Sequence, residues 1–520
     1  MRFRIVVLAL LFSLFAKAQV SDLMKLAEGS LIYTSIVYDS DDNLYGYFYL
    51  YQMDAEKNRK KLEYVLLDKN LNKVNNGEFS TGSGGKAKYK FDNCTLIDNK
   101  IILTKDYYYT PTFSIDGIPV YLATTFQIIT LQDRSVSPEY LYKDGNFVEA
   151  PTDLSVLKDE AKKEETKNVI SAFSNEKNAG FYITQYNQKQ KNYLEKEMKF
   201  FDKDLKFKWK YIYNPNTDPE NYTTFKFLHL KGDNIYITET NWVKHNVNSF
   251  NIVALNIRTG EKKYEYKMEF PGCGKIHNLN AREVEGKLVI AGTYVKEEKD
   301  MNADFNKRLG FYRIVLNENG SETDKKYLPW PSLAPRANIN EKGYDKEGYT
   351  LHPRRYFLFA NGKISIVSER YNPGKSAVQV PIPFVNLIVA AATYKPQCTG
   401  DIVVMNFNKD FALESADTIR KEVSKENYSD YLFSQYIRND TAAVFFYSNI
   451  VQNKKEKKED MILGIDLIAD GKVSEEKIPV YSKKKYYIEV MPAKEGYIML
   501  REYNEKEKYN QLRLEKLNYE

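Results

Sequence analysis

The sequence predicts an all-β fold, a β-propeller of four-stranded antiparallel blades. Three observations support this prediction. A unit recurs about eight times along the chain, and its period is about 50 to 80 residues. Within each unit, short apolar strands are joined by turns that begin with Asp or Asn. Repeats of this length built from short strands are typical of radial β-arrays. We expect about eight blades, with seven as the alternative if the first and last units share one blade.

The clearest part of each unit is an apolar strand followed by its Asx-led turn. The apolar run is closed by Asp or Asn, and a Leu, Asp or Gly ends the turn a few residues later. Six copies are plain in the sequence: 64–71, 198–205, 252–260, 312–320, 403–410 and 462–471.

Each unit pairs this strand with a second apolar strand that precedes it. The eight predicted pairs are 44–50 with 62–68, 100–103 with 126–129, 180–183 with 198–201, 234–237 with 250–255, 286–290 with 311–316, 362–366 with 402–407, 443–446 with 461–467, and 496–500 with 512–517. These strands read as continuous apolar runs because a strand inside a blade is packed on both faces. A further strand on each side, such as 431–437 or 208–213, completes four strands per blade.

The last unit lacks its fourth strand. A propeller must close its ring, because an open sheet edge exposes unpaired backbone groups. We therefore expect the segment 21–30, or the strand just after it, to complete the last blade.

The first 18 residues are predicted to be a cleaved signal peptide. Arg2 and Arg4 precede the apolar stretch 5–15, and Ala16-Lys17-Ala18 forms a small-residue cleavage site. The apolar stretch is too short to span a bilayer. Residues 19–520 are predicted to form a single propeller domain, with a short helical or loop insertion near 151–167 and a long apolar loop insertion at 371–399. The predicted location is the periplasm, with secretion as the alternative.

Charge and cysteine content exclude two classes of protein. The sequence has 76 Lys and Arg against 70 Asp and Glu, and removal of the signal brings the chain close to neutrality. A nucleic-acid-binding protein would instead carry a clustered basic stripe. Cys94, Cys273 and Cys398 are too few and too far apart for a disulfide framework. Three thiols, or one disulfide between two of the three, remain the alternatives.

The loops that join the second and third strands of the blades are the predicted functional elements, because binding residues concentrate on loops carried by a rigid scaffold. We name these loops tips. The long tip at 371–399 contains an uncharged, Pro-broken run, which is either a hairpin folded over the blade tops or an apolar docking surface. The predicted partner-binding residues are Ile382, Phe384, Leu387 and Ile388, with Ile118 and Tyr121 from the tip of the second blade.

Catalytic and metal-binding motifs are not found in the sequence. His229, His245, His277 and His352 have no zinc-site spacing, and no nucleophile elbow or phosphate loop occurs in a suitable context. We predict no cofactor and no metal site, and we favour a non-enzymatic protein.

The repeated hairpins, the Lys/Asn/Tyr-rich composition and the Ala18-Gln19 junction resemble exported β-propeller proteins of the Bacteroidota. The resemblance is one of pattern and covers most of the mature chain. It implies a periplasmic scaffold, and more narrowly a plug or accessory subunit of the type 9 secretion translocon. The expected function is therefore non-catalytic binding of an envelope protein, in an outer-membrane complex. The alternative is an enzyme or glycan-binding protein that uses a central pocket, with an aromatic platform such as Trp242.

Overall fold

The structure is a computed structural model of the 520-residue chain. It describes the following residues: 20–39, 43–55, 59–82, 87–109, 120–143, 145–151, 153–157, 168–172, 180–187, 197–215, 218, 220–244, 246–269, 275–295, 308–374, 379–381, 388–390, 397–425, 429–453, 458–480 and 486–517.

Almost all regular structure in this part of the chain is β-strand. The strands of the first half are β1 (Val20–Asp22), β2 (Ser30–Tyr38), β3 (Leu44–Ala55), β4 (Arg59–Asp68), β5 (Lys73–Gly82), β6 (Lys88–Ile97), β7 (Lys100–Tyr109), β8 (Val120–Thr130), β9 (Tyr140–Lys143), β10 (Asn146–Glu149), β11 (Asn168–Ala172), β12 (Phe181–Asn187), β13 (Glu197–Phe201), β14 (Phe207–Ile212), β15 (Asn221–Lys231), β16 (Asn234–Val243), β17 (Asn246–Asn256) and β18 (Lys262–Lys267).

The strands of the second half are β19 (Lys275–Val284), β20 (Lys287–Val295), β21 (Arg308–Leu316), β22 (Glu322–Pro329), β23 (Thr350–Leu358), β24 (Ile364–Asn372), β25 (Gln379–Pro381), β26 (Ile388–Ala390), β27 (Cys398–Phe407), β28 (Leu413–Ile419), β29 (Ser424–Lys425), β30 (Tyr431–Ile437), β31 (Ala442–Asn453), β32 (Lys458–Ala469), β33 (Lys472–Val480), β34 (Tyr487–Pro492), β35 (Tyr497–Asn504) and β36 (Tyr509–Lys516). Helix α1 (Trp330–Ala337) lies between β22 and β23.

The strands form the eight antiparallel blades of a β-propeller, which confirms the predicted fold class and the count of eight. Blades 1 to 5 begin at β2, β6, β11, β15 and β19, and blades 6, 7 and 8 begin at β23, β30 and β34. All eight predicted central strand pairs are present. Blade 2 has a fifth strand, and the short β29 adds to β27 in blade 6.

The first strand of the chain completes the last blade, as predicted. Strand β1 pairs antiparallel with β36, so that Ser21 lies opposite Leu512. The sheet order is therefore β1-β36-β35-β34. Strand β1 begins at Val20, one residue before the predicted closing segment.

The Asx-led turns after Asp68, Asp202, Asn317 and Asn408 share one backbone conformation, whereas in blade 7 Asp466 lies inside β32 and the turn is formed at Asp470 and Gly471. In the first blade the Asp68 side chain accepts hydrogen bonds from the backbone N–H of Asn70 at 2.8 Å and of Asn72 at 2.9 Å. Leu71 follows with φ of 63° and is buried. A left-handed residue is costly unless it is Gly or Asn, so burial of the apolar side chain offsets strain at Leu71.

The chain divides into two compact units, each with its own core. Unit 1 comprises Met1–Thr224, Asn256–Glu261 and Ser482–Glu520, and unit 2 comprises Phe225–Leu255 and Lys262–Tyr481. In unit 1, Leu23 packs in one buried cluster with Tyr47 of blade 1 and Leu512 of blade 8. In unit 2, helix α1 contributes Trp330 and Leu333 to a cluster with strands of blades 5 and 6.

Helix α1 was not predicted from the sequence. Its segment is rich in proline, which usually ends helices, but Pro331 stands at the start of the helix, where a missing N–H costs little. Trp330 holds the helix in place: its ring contacts Phe311, and its indole N–H donates to the Arg308 carbonyl at 2.5 Å.

Two predicted insertions are described in part. Leu154–Val156 forms a short 3₁₀ turn, and residues 158–167 of the insertion near 151–167 lie outside the described residues. Within 371–399, β25 and β26 pair as a short hairpin, so that Pro381 lies opposite Ile388. The single domain for residues 19–520 stays a prediction.

Candidate functional site

We define the tip edge of a blade as the edge at which its second and third strands are joined. The two tips with predicted docking residues belong to blades 2 and 6. Ile118, Ile382, Phe384 and Leu387 lie outside the described residues. Ile388 lies in the backbone ladder of β26, and its role in docking stays a prediction.

Tyr121 is the one predicted docking residue whose side chain the structure describes. It begins the part of β8 nearest the tip and is half-buried. Its hydroxyl oxygen lies 2.5 Å from Thr124 Oγ1, and Thr124 in turn donates to Asp106. Tyr121 is therefore held in a polar chain at the root of the blade 2 tip. Its assignment to a partner interface stays a prediction.

A group of buried polar residues lies at the root of the same tip. We name it the blade 2 cluster: Thr81, Lys105, Tyr107, Thr125 and Glu139. The Lys105 ammonium lies 2.9 Å from Glu139 Oε1, and their side chains are only 3% and 9% exposed. The Tyr107 hydroxyl donates to Glu139 Oε1 at 3.0 Å, and Thr81 donates to Glu139 Oε2 at 2.9 Å. These contacts join strands β7 and β8 of blade 2, and Glu139 just before β9, to the last strand of blade 1.

Burial and pairing act in opposite directions on the charges of the blade 2 cluster. Burial lowers the pKa of Lys105 to about 8, although the neighbouring Glu139 carboxylate favours the charged ammonium. Burial alone would raise the pKa of Glu139, but the Lys105 charge and the hydrogen bonds that Glu139 accepts hold it below its usual value. The Lys105 ammonium also lies over the ring of Tyr89, 4.7 Å from its centre.

A second buried ionic group lies at the root of the blade 6 tip. We name it the blade 6 cluster: Arg354, Glu369, Thr399, Lys421 and Asp430. Glu369 is fully buried and accepts hydrogen bonds from the Arg354 guanidinium and, at 2.7 Å, from the backbone N–H of Asp430. Asp430 Oδ2 lies 2.5 Å from the Lys421 ammonium and accepts from Thr399 Oγ1 at 2.8 Å.

The blade 6 cluster ties the tip of blade 6 to the first strand of blade 7. Thr399 begins the strand that leaves the tip, and Glu369 lies near the end of the strand that enters it. Burial alone would raise the pKa of Asp430, but the hydrogen bond from Lys421 and its positive charge lower it below the usual value. Both ends of the 371–399 insertion are therefore fixed by charges that are costly to separate.

Neither cluster has the geometry of a catalytic centre, because the charged groups are paired with one another and shielded from solvent. Within the described ranges, no three His, Cys, Asp or Glu side chains are placed to hold a metal ion. No helix in the described part of the chain is long and apolar enough to cross a bilayer. Cys94 is a free thiol, and Cys273 lies outside the described residues.

Sequence reasoning missed both clusters, although a signal was present. Lys105 and Glu369 are charged residues near the ends of apolar runs, Ile101–Leu103 and Ile364–Val367 in the sequence. A charged residue in a strand packed on both faces needs a buried partner. The charged partners, Glu139 for Lys105 and Arg354 for Glu369, come from other segments of the chain and could not be paired with them from spacing alone.

A family model described as a family of unknown function, DUF6770, matches residues 145–429 and 415–518 of the chain. No curated protein matches the sequence.

Solved structures similar to the chain are proteins of different functions. Prolyl oligopeptidase B from Galerina marginata is 8% identical with a TM-score of 0.34, and the match covers 84% of this chain and 46% of that one. The chain therefore spans a little under half of that enzyme. The quinohemoprotein alcohol dehydrogenase from Comamonas testosteroni is 10% identical with a TM-score of 0.38, covering 97% and 78%. The β-propeller domain of the Trilobed protease from Pyrococcus furiosus is 7% identical with a TM-score of 0.33, covering 84% and 97%.

Proposed function

We propose that this chain, which belongs to the DUF6770 family of unknown function, is a non-catalytic scaffold of the periplasm that binds another envelope protein. Binding takes place at the tip edges of blades 2 and 6. One observation carries the proposal: buried ionic clusters fix the roots of both long tips, while their charges are too well paired to do chemistry.

A tip whose root is already fixed favours binding, because less of the chain has to be ordered when the partner associates. An interface loop that must be ordered on binding loses part of the gross interaction energy. Lys421 and Asp430 hold the root of the 371–399 tip without a partner present, at 2.5 Å and with almost no exposure. The apolar residues carried by that tip, Phe384 and Leu387 among them, are of the types that form the buried centre of protein interfaces.

The test compares recovery of a partner by matched variants. Tagged wild-type protein, the double variant Phe384→Asp with Leu387→Asp, and the control Val74→Asp are each used to capture proteins from detergent-solubilised native envelopes. Val74 is 47% exposed in an outer strand of blade 1, so its substitution adds a charge away from any tip. We expect one stoichiometric outer-membrane protein with wild type and control, and its loss with the double variant. Equal recovery by all three would contradict docking at the blade 6 tip.

A narrower form of the proposal concerns the complex itself. The resemblance to exported Bacteroidota propellers supports a role as a plug or accessory subunit of the type 9 secretion translocon. If the recovered protein is a subunit of that translocon, the narrower form stands. A partner from any other outer-membrane complex would remove it and leave the scaffold function intact.

The periplasmic location has its own test. Amino-terminal sequencing of protein recovered from the periplasmic fraction should begin at Gln19, directly after the Ala16-Lys17-Ala18 site. Recovery of the chain in the cytoplasmic fraction with its first 18 residues intact would contradict export.

A further inference from the structure

The tip edge of blade 8 carries an exposed aromatic surface that the proposed scaffold function does not use. Tyr487 opens β34 and lies directly opposite Tyr503 of β35. It is 64% exposed, the highest value among the large hydrophobic side chains of the described residues. Its tip is a turn of only four residues, 505–508.

The Tyr487 ring is exposed but held in place. Its centre lies 5.5 Å from that of Tyr503, with the two planes 29° apart. On Tyr503 the Arg501 guanidinium stacks at 4.9 Å. Arg501 is itself fixed by Glu489 at 3.1 Å and by the Asn510 side chain at 3.0 Å. We name these five residues the tyrosine platform: Tyr487, Glu489, Arg501, Tyr503 and Asn510.

The tyrosine platform lies at the exposed end of one face of the blade 8 sheet, and further along the strands that face is buried. Side chains alternate between the two faces of a strand, so Glu489 and Met491 share the face of Tyr487. Met491, Met499 and Leu512 on this face pack into the unit 1 core beside Tyr49 and Tyr51. The same packing that builds the core therefore orients the platform, and little ordering is needed when a ligand binds.

We propose that the tyrosine platform binds a neutral oligosaccharide. A sugar ring has a flat face of C–H groups that stacks on the electron-rich face of an aromatic ring. Its hydroxyl groups, in turn, need acceptors and donors beside that ring. Glu489, 48% exposed in its side chain, supplies carboxylate acceptors next to the Tyr487 ring.

The charges of the platform select a neutral ligand. Arg501 and Glu489 neutralise each other at 3.1 Å, so neither is left to attract an ion of opposite charge. A cationic ligand would normally occupy the face of an aromatic ring. On Tyr503 that position is filled by Arg501, which also places a positive charge beside the stacked Tyr487 ring and disfavours a cation there.

A large protein partner fits this surface poorly. The tip beside the platform reads Glu505-Lys506-Glu507-Lys508, and all four residues are exposed. Covering four charged side chains over a standard interface would cost desolvation that one exposed ring does not offset. A sugar ring needs only the ring face and its polar neighbours, and it leaves the charged tip in water.

The test is a titration of purified protein with three soluble probes: cellohexaose, maltohexaose and N-acetylchitohexaose. We expect saturable binding of at least one probe at millimolar or lower concentration. Tyr487→Ala should weaken it by at least about tenfold, the loss of one stacked ring. Tyr487→Trp should keep the affinity within about threefold, because the stacking surface is retained.

The matched control is Tyr45→Ala, which removes a 38% exposed tyrosine from the opposite edge of blade 1. It should bind the probe as wild type does, and thermal midpoints should show that all variants are folded. The proposal is overturned if wild type binds none of the three probes, if Tyr487→Ala binds as wild type, or if Tyr45→Ala loses as much. Capture of the envelope partner should be unaffected by Tyr487→Ala, which separates this site from the blade 6 docking tip. Loss of the partner without any sugar binding would reassign the platform to a protein interface.

Discussion

Asp466 is the clearest case of a single residue whose environment opposes its usual charge. It lies in the middle strand of blade 7, is fully buried, and neither carboxylate oxygen accepts a hydrogen bond from any residue that the structure describes. Burial, with a smaller contribution from the Glu475 carboxylate opposite it, raises the pKa of Asp466 to about 8. Lys477 acts in the opposite direction, but it is paired with Glu475 at 2.7 Å.

The stability of the protein should therefore fall with rising pH because of Asp466. Unfolded, this carboxyl releases its proton near pH 4, while the folded protein retains it up to about pH 8. Between these values the folded state holds the extra proton, so the free energy of unfolding decreases as pH rises. Asp466→Asn should remove this dependence and gain on the order of 4 kcal/mol over wild type between about pH 5 and about pH 9.

Urea unfolding of wild type and Asp466→Asn at both pH values measures the effect. Asp470→Asn is the control, because Asp470 lies in the exposed turn of the same blade. Parallel pH profiles for wild type and Asp466→Asn would show that Asp466 is ionised in the folded protein.

Lys421 differs from Asp466, because its buried charge is paired with an opposite charge and its removal should destabilise the protein. Lys421→Met keeps the side-chain volume and leaves Asp430 without its ammonium partner. We expect a loss of about 3 to 5 kcal/mol in the free energy of unfolding. The control is Lys61→Met, which breaks an exposed pair with Glu78 at 2.6 Å and should cost less than about 1 kcal/mol.

A double variant distinguishes the lost pair from lost packing. Lys421→Met combined with Asp430→Asn removes both charges, so it should be more stable than Lys421→Met alone. If the two substitutions were additive in urea unfolding, the ion pair would not be the cause.

At the scale of the strand, glycine provides room for tyrosine rings that lie across the sheet. Tyr447 lies directly opposite Gly464, and Tyr64 lies directly opposite Gly77. In both pairs, a Cβ built on the glycine would collide with the tyrosine ring. The Tyr447 hydroxyl reaches Glu475 at 3.0 Å in the next strand. A glycine in one strand thus leaves space for a tyrosine ring of the neighbouring strand to lie over it.

Gly464→Val tests this arrangement against strand propensity. Valine favours strands, so propensity alone predicts a stabilising change. The collision with the Tyr447 ring predicts instead a loss of about 1 to 3 kcal/mol in the free energy of unfolding. Ser474→Val, at an exposed position of the same blade, should be neutral or stabilising. An equal response of the two variants in thermal unfolding would show that the ring moves aside without cost.

Elements of the propeller could be predicted from sequence where residues close together in the chain determine them. Strands such as 64–68 and 403–407 are packed on both faces, and such strands can be recognised in the sequence as continuous apolar runs. Helix α1 could not be predicted, because its residue Trp330 is held by Phe311 and Arg308 of strand β21. The two ionic clusters could not be predicted for the same reason: Glu369 is held by Arg354 and by the backbone N–H of Asp430, 61 positions away, and nothing near Glu369 indicates either contact.

At the scale of the whole molecule, Leu23 joins the start of the chain to the blades that flank the point of ring closure. It is fully buried with residues of blades 1 and 8, and its carbonyl accepts a hydrogen bond from Tyr51 at 2.7 Å. It follows directly after β1, so its burial holds that strand against β36. Closure therefore depends on a strand of only three residues and on the side chain behind it.

Leu23→Asp should open this closure. A buried carboxylate without a partner would be expelled, which leaves the edge of β36 without β1. We expect a lower thermal midpoint and faster hydrogen exchange within Gln511–Arg513, at the amides that donate to β1 and not to β35. Lys25→Asp reverses a charge at the exposed end of the same turn and loses only the ion pair with Asp22, so it should stay within about 1 kcal/mol of wild type. Unchanged protection of these amides in Leu23→Asp would show that β1 stays paired without Leu23.

The pairing of β1 with β36 also sets the order in which the molecule can assemble. Asp22 and Gln511 are partners although 489 positions separate them in the chain. Closing so long a loop costs more chain entropy than closing a hairpin, by about 0.6 kcal/mol for each doubling of length. Contacts of such long range form late, and the first strand to be made has no partner until the last hairpin has emerged. During that interval the chain exposes an unpaired sheet edge, so this is the stage at which a chaperone that shields edges would matter most.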